Sequence, residues 1–208
     1  MYRTRNLLHD ATGRLYSDQL IVTNVNDARD HVARDSCCVR FLQTNAQYGI
    51  QLTANVEVYN TYSFLPLGPV TVDVMGVTVY WGNQRIELDY RPWSQFTAML
   101  RPWQTYKALP CAFSRYAGDF YVGPKPDQNY AIDVDTALTV NKMFDDTTPE
   151  QIINPFQVAV PFYAAYLSKF YEQSFGEAQL FEQQYARQMA NASRTWMRRT
   201  KFTSYPDT

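Results

Sequence analysis

Asp133 and Asp135 stand two residues apart in an alternating stretch, where a strand would put both carboxylates on one face. A carboxylate pair is the smallest equipment for general acid–base chemistry. A second pair, Asp145-Asp146, precedes a helical pattern. Neither pair has a nucleophile or base beside it, and strand and cap carboxylates commonly serve structure, so both are read as structural. A Ser nucleophile would need an activating base. His9 and His31 lie far apart, neither has a nucleophile-elbow pattern around it, and no GxSxG occurs. Cys37, Cys38 and Cys111 contain no CxxC pair, which argues against a zinc site. Adjacent Cys37 and Cys38 cannot form an ordinary disulfide, so free thiols in reducing surroundings are expected. There is no P-loop and no GxGxxG; Gly118 and Gly123 are isolated. With no convergent reactive groups, the expectation is a protein that is not an enzyme and uses no cofactor or metal.

Composition points elsewhere. The 208 residues carry 19 Lys+Arg against 20 Asp+Glu, a net charge of -1. That balance excludes a strongly basic nucleic-acid clamp and an acidic disordered tail. Aromatics are 15%, with 16 Tyr beside 12 Phe and 4 Trp. Tyr joins a large apolar ring to a polar handle, which suits surfaces that become buried against another surface. Trp81, Trp93 and Trp103 are the candidate anchors for a subunit or tail interface. The Tyr and Trp of this region could alternatively line a sugar-binding groove. From Gln183 to Pro206 there are five basic residues (Arg187, Arg194, Arg198, Arg199, Lys201) and no acid. Such charge suits docking onto an acidic protein groove as well as nucleic acid. The N-terminus lacks a signal-peptide core, and no run of about 18 apolar residues could span a membrane.

The elements that would position these residues are helical at both ends and stranded between. Ser17-Asp18 is an N-cap before Ile21, Val25, Ala28 and Val32, spaced as one helix face that ends near Asp35-Ser36. Cys37–Leu42 reads as a short apolar continuation, and Met1–Leu15 as a short first helix interrupted near Gly13. Gln51–Tyr62 alternates as a strand with Leu52, Val56 and Val58 inward. Val70–Tyr90 reads as a hairpin turning at Trp81–Arg85, with a bulge at Gly76. Arg91-Pro92-Trp93 recurs ten residues on as Arg101-Pro102-Trp103, which predicts short helices Trp93–Leu100 and Trp103–Ala108, or a Pro-punctuated connector. Phe113–Val122 and Tyr130–Val140 read as a strand pair joined by the loop 123–129. A helix from about Pro155 through Tyr171 follows, with Pro161 at a kink or in the first turn. A long helix Ala178–Trp196 carries the stripe Phe181, Tyr185, Met189, Ala192, Trp196. The expectation is an α+β fold in one domain. N- and C-terminal helices (about 1–48 and 150–199) form a helical bundle, with an antiparallel β-rich lobe inserted at about 49–149. An extended arm at about 200–208 is anchored by Phe202 and Tyr205.

Several of these segments resemble a known family. Asn26-Asp27-Ala28-Arg29 with Val32-Ala33, Asp35-Ser36, Cys38 and Arg40 is similar to the N-terminal signature of head-to-tail adaptor (head-completion, connector) proteins of short-tailed bacteriophages. The Pro126–Tyr130 turn, Asp145-Asp146, and Pro149-Glu150-Gln151-Ile152 leading to Val158-Ala159 resemble further blocks. So do Tyr163–Leu167 and Ala178–Tyr185. The resemblance implies a structural virion protein of the phage neck. Such adaptors form a homo-oligomeric ring, typically of twelve copies, beneath the portal protein. They join capsid to tail nozzle or tube, let genomic DNA pass through the lumen without specific binding, and use no cofactor. It further implies a portal-docking arm, for which Arg194, Arg198, Arg199, Lys201, Phe202 and Tyr205 are the candidates here. The alternatives are another tail component (nozzle or tail-completion subunit) or a carbohydrate-binding β module for host recognition.

Overall fold

The computed structural model describes residues 1–103, 105–144 and 149–199, with backbone alone for 100–103 and 197–199. The chain opens with helices α1 (Tyr2–Leu7) and α2 (Asp18–Ser36). Strand β1 (Arg40–Gln43), helix α3 (Asn45–Tyr48), strands β2 (Gln51–Leu52) and β3 (Val58–Asn60), and helix α4 (Thr61–Phe64) come next. Strands β4 (Thr71–Trp81), β5 (Gln84–Glu87) and β6 (Asp89–Tyr90) lead to helix α5 (Trp93–Trp103). Then follow β7 (Ala112–Tyr116), β8 (Asp119–Gly123), β9 (Tyr130–Leu138), and helices α6 (Val160–Tyr171) and α7 (Phe175–Arg199). The fold is α+β. It divides into two compact units: Met1–Val39 with the chain from Thr139 onward, and Arg40–Leu138. The insertion expected at 49–149 is therefore displaced. Cys37 stops α2 in the left-handed region at φ 48, and the chain enters β1 instead of continuing an apolar helical segment.

In the helical unit, Ser17 Oγ accepts from the Leu20 N–H at 3.2 Å and satisfies an orphan donor of α2's first turn. Ile21, Ala28 and Val32 are fully buried, as their spacing predicts. Pro161 lies in the first turn of α6, where its missing N–H costs no hydrogen bond. Helix α6 packs against both α2 and α7. Ala28 and Ala164 are buried in one core with Phe156 and Ile152 from the segment before α6. Each such fully buried Phe or Ile contributes about 2 kcal/mol. Tyr185, Met189 and Ala192 of the α7 stripe are buried, and Phe181 and Trp196 are half-buried.

Asp10 ties α1 to the turn before α2. Its carboxylate accepts backbone N–H groups of Arg14 (2.8 Å), Leu15 (3.1 Å) and Tyr16 (2.9 Å), and Arg5 Nη1 at 3.0 Å. Burial works to raise its pKa, but the N–H donors of Tyr16, Leu15 and Arg14, then the Arg5 charge, hold it below the ordinary 3.8. A depressed carboxylate stabilises the fold fully above its unfolded value, and that stability is lost as pH falls through the folded value. Asp10→Asn should therefore narrow the difference between urea midpoints measured at about pH 6 and about pH 3. An unchanged difference would remove Asp10 from the acid response.

The β unit has two sheets. The first runs β1-β9-β4-β5, with β2 also on β9; the second runs β3-β8-β7-β6. Side chains of both, among them Leu52, Val77, Phe113, Phe120, Ile132 and Val134, form one core. The β4–β5 hairpin turns at Gly82-Asn83, with Trp81 opposite Gln84 and Gly82 at φ 59. Its register on β9 shifts between Val74 and Gly76, the bulge that Gly76 predicts. The hairpin expected to reach Tyr90 ends at Glu87. At Leu88, whose N–H bonds Val77 O at 2.8 Å, the chain passes to the second sheet, where β6 pairs parallel with β7. The lobe is thus not wholly antiparallel.

Three more expectations change. Strand β8 pairs with β7, turning at Ala117 (φ 52) and Gly118 (φ 86), whereas β9 belongs to the other sheet. The strand over Gln51–Tyr62 is broken where Asn55 turns left-handed (φ 67); Val56 and Val58 are exposed and Tyr59 takes the core position. One helix, not two, spans from the first Trp to the second, with Arg91-Pro92 just before it. Pro92 O accepts from the N–H groups of Gln95 and Phe96 (both 2.9 Å) to start α5, and Pro102 falls in its last turn.

Candidate functional site

The two strand carboxylates each have partners. Asp133 is buried and accepts Tyr80 Oη at 2.6 Å, the Asn45 N–H at 2.9 Å and Arg85 Nη2 at 3.3 Å. Its hydrogen bond is the main reason the Tyr80 phenol is pushed up, with burial adding to it. Asp135 pairs with Arg40 across the β1–β9 register. These pairs tie β1, β4 and β5 to β9, and each carboxylate has its own cation. Asp145-Asp146 lies outside the described residues.

Cys38 is buried, Cys111 is exposed, and burial pushes both thiols up. His31 stacks on Tyr163 with ring centroids 4.1 Å apart. Among the described residues no three His, Cys, Asp or Glu are grouped to hold a metal ion, and no helix is long and apolar enough to cross a membrane.

The Trp candidates separate. Trp81 is exposed at the end of the β4–β5 hairpin. Trp93 lies on the second sheet, stacked on Tyr116 (4.7 Å, 11°) and tilted against Tyr121 (4.5 Å). The Trp103 side chain lies outside the described residues. Arg194 is exposed on α7. The side chains of Arg198 and Arg199, and all of Lys201, Phe202 and Tyr205, lie outside the described residues.

Folding assembles two further surfaces. One is an aromatic ridge on the helical unit, in which Tyr163, Tyr166, Phe170 and Phe175 follow one another at 5.3, 5.8 and 5.7 Å. Phe170, Tyr171 and Phe175 are exposed there. Residues 163, 166 and 170 stand at i, i+3 and i+7, which places them along one face of α6.

The other is a cleft of about 460 Å³ in the β unit, lined by Tyr62, Tyr90, Tyr116, Arg115, Asp73 and Asp119. Tyr62 rides on α4, whose N-cap Asn60 accepts from the Ser63 N–H at 3.1 Å. Asn60 Nδ2 also donates to Asp119 Oδ1 at 2.7 Å. Gly68 lets the chain pass against this helix: a Cβ there would fall 2.1 Å from Tyr62 O. Arg115 pairs with Asp73 and lies over the Tyr90 ring at 4.8 Å. Burial works against the Arg115 charge, but Tyr90 and Asp73 outweigh it and raise its pKa. No local pattern marks this cleft, because its tyrosines come from α4, β6 and the end of β7.

The fold defines an α+β protein with separate helical and β-rich units and no assembled acid–base or metal centre among the described residues. No protein-family model matches the sequence, and no curated protein matches it.

Proposed function

We propose that this chain is a structural protein of a bacteriophage neck. In this reading its copies form a ring beneath the portal, join capsid to tail nozzle or tube, and let DNA pass without catalysis or cofactor. One observation carries the reading: most of the segments that resemble the adaptor family, though far apart in sequence, pack together in the helical unit. Arg29 meets Glu150 across 121 positions, at 2.9 to 3.1 Å. His31 stacks on Tyr163. Tyr185 Oη donates to Asp35 at 3.1 Å. Residues of the segments 26–36, 149–167 and 178–185 thus share one packing unit.

The finer architecture follows from the same reading. The helical unit is the bundle, Arg40–Leu138 the inserted lobe, and residues 200–208 the arm. The exposed aromatic ridge offers neighbouring copies an anchor surface, and the near-zero net charge lets identical subunits close a ring without strong repulsion.

The test is native mass spectrometry and electron microscopy of the purified chain, alone and with its phage's portal. A ring that forms on portal binding is expected; a nozzle subunit would leave the portal unoccupied. Deleting Tyr205 to Thr208, or the R198E/R199E reversal, should impair docking. Particle assembly unchanged by both variants would overturn the portal-docking arm.

A further inference from the structure

The geometry points to the cleft between α4, β6 and the β7–β8 turn as a binding site for a neutral oligosaccharide. This inference is independent of the neck reading. Three tyrosine rings stand in the open there: Tyr62 is 66% exposed, Tyr90 48% and Tyr116 52%. Exposed rings in a concavity are suited to ligands with a flat, weakly apolar C–H face, and a pyranose has one on each side. Asp73, Asp119 and Arg115 line the same cleft, and carboxylate and guanidinium groups are suited to bonding adjacent hydroxyls. The two carboxylates outnumber the one guanidinium, so the cleft disfavours phosphorylated or otherwise anionic ligands. Its volume of about 460 Å³ lies within the usual range for small-ligand sites.

The site is also built before any ligand arrives. Arg115 is fixed by Asp73 and Tyr90, and Asp119 is fixed by Asn60. Tyr116 is fixed by its stack on Trp93, and Gly68 lets the chain pass closely against the helix that carries Tyr62. Binding therefore has little side-chain ordering to offset. Trp93 supplies a reporter, since a sugar ring laid on Tyr116 changes the environment of the indole stacked behind it.

The experiment probes a glycan array with the labelled full chain. The best neutral oligosaccharide from the array is then titrated while Trp fluorescence is followed. Saturable binding is expected, with an emission change that disappears in Trp93→Phe. Tyr116→Ala and Asp119→Asn should each weaken binding by about tenfold. Tyr171→Ala, on the helical unit, should leave it unchanged. Circular dichroism confirms that each variant is folded, and the conservative Tyr116→Phe, which keeps the ring, should retain binding. An array signal no higher than that of a Tyr62→Ala/Tyr116→Ala double variant overturns the site. So does preference for anionic glycans, or binding untouched by Tyr116→Ala and Asp119→Asn.

Discussion

Arg29→Ala is expected to destabilise the helical unit by about 3 kcal/mol. The side chain is 1% exposed, and all three guanidinium nitrogens are used. Nε donates to Glu150 Oε1 (3.1 Å) and Oε2 (3.0 Å), Nη2 to Oε1 (2.9 Å), and Nη1 to Asn141 O (2.8 Å) and Asn26 Oδ1 (3.2 Å). Truncation takes these donors from a carboxylate and two carbonyl oxygens, which is the expensive way to break a buried pair. Glu150 is 30% exposed and can take water, which holds the cost at the lower end of the range for such pairs. Arg29→Lys keeps the charge but not the planar fork, so it should recover part of the loss. Arg29→Met fills the volume without a donor and should recover less than Lys if polarity dominates. Urea unfolding followed by circular dichroism reads all three. A cost below about 1 kcal/mol for Arg29→Ala would class it with ordinary surface changes and reject the clamp.

That clamp shows what could be read locally and what could not. Helix α2 was legible because its signals are contiguous: Ser17 caps it and Ile21, Ala28 and Val32 repeat on one face. The α7 stripe and the Gly76 bulge were legible for the same reason. Strand partners were not. Both β8 and β9 carry strand patterns, but nothing local says that β8 folds back on β7 through Ala117-Gly118 while β9 becomes the centre of another sheet. The core position of Tyr59 was not legible, because the period-two alternation breaks at Asn55, where the backbone reverses hand. The Asp133/Asp135 face was read correctly. The cations that engage it, Arg85 and Arg40, lie 48 and 95 positions away and were invisible as partners. The cleft was invisible for the same reason, since Tyr62, Tyr90 and Tyr116 are neighbours only after folding.

Phe120→Ala is expected to cost about 4 kcal/mol, the larger of the two effects per side chain removed. Phe120 is fully buried in β8, with its ring 5.2 Å from Tyr59 and 5.5 Å from Phe64. It therefore joins β8 to β3 and to α4, the helix that carries Tyr62. Deleting the ring removes its transfer free energy and leaves a void that Tyr59 cannot close. The Tyr59 hydroxyl accepts from the Thr53 N–H at 2.9 Å and donates to Val56 O at 3.1 Å, so the ring is held at its far end. Burial pushes that phenol up to about 12, with the Thr53 N–H opposing, so it stays a neutral donor across the neutral range. Phe120→Leu retains most of the volume and should cost about 1 kcal/mol. Arg29 and Phe120 share no partner and belong to different units. Their double variant should accordingly add to within about 0.5 kcal/mol. A larger discrepancy in urea unfolding would mean that the two cores do not make independent contributions. A Phe120→Ala cost near that of Phe120→Leu would mean that the aromatic cluster relaxes around the void, and that Tyr62 is not held in place from below.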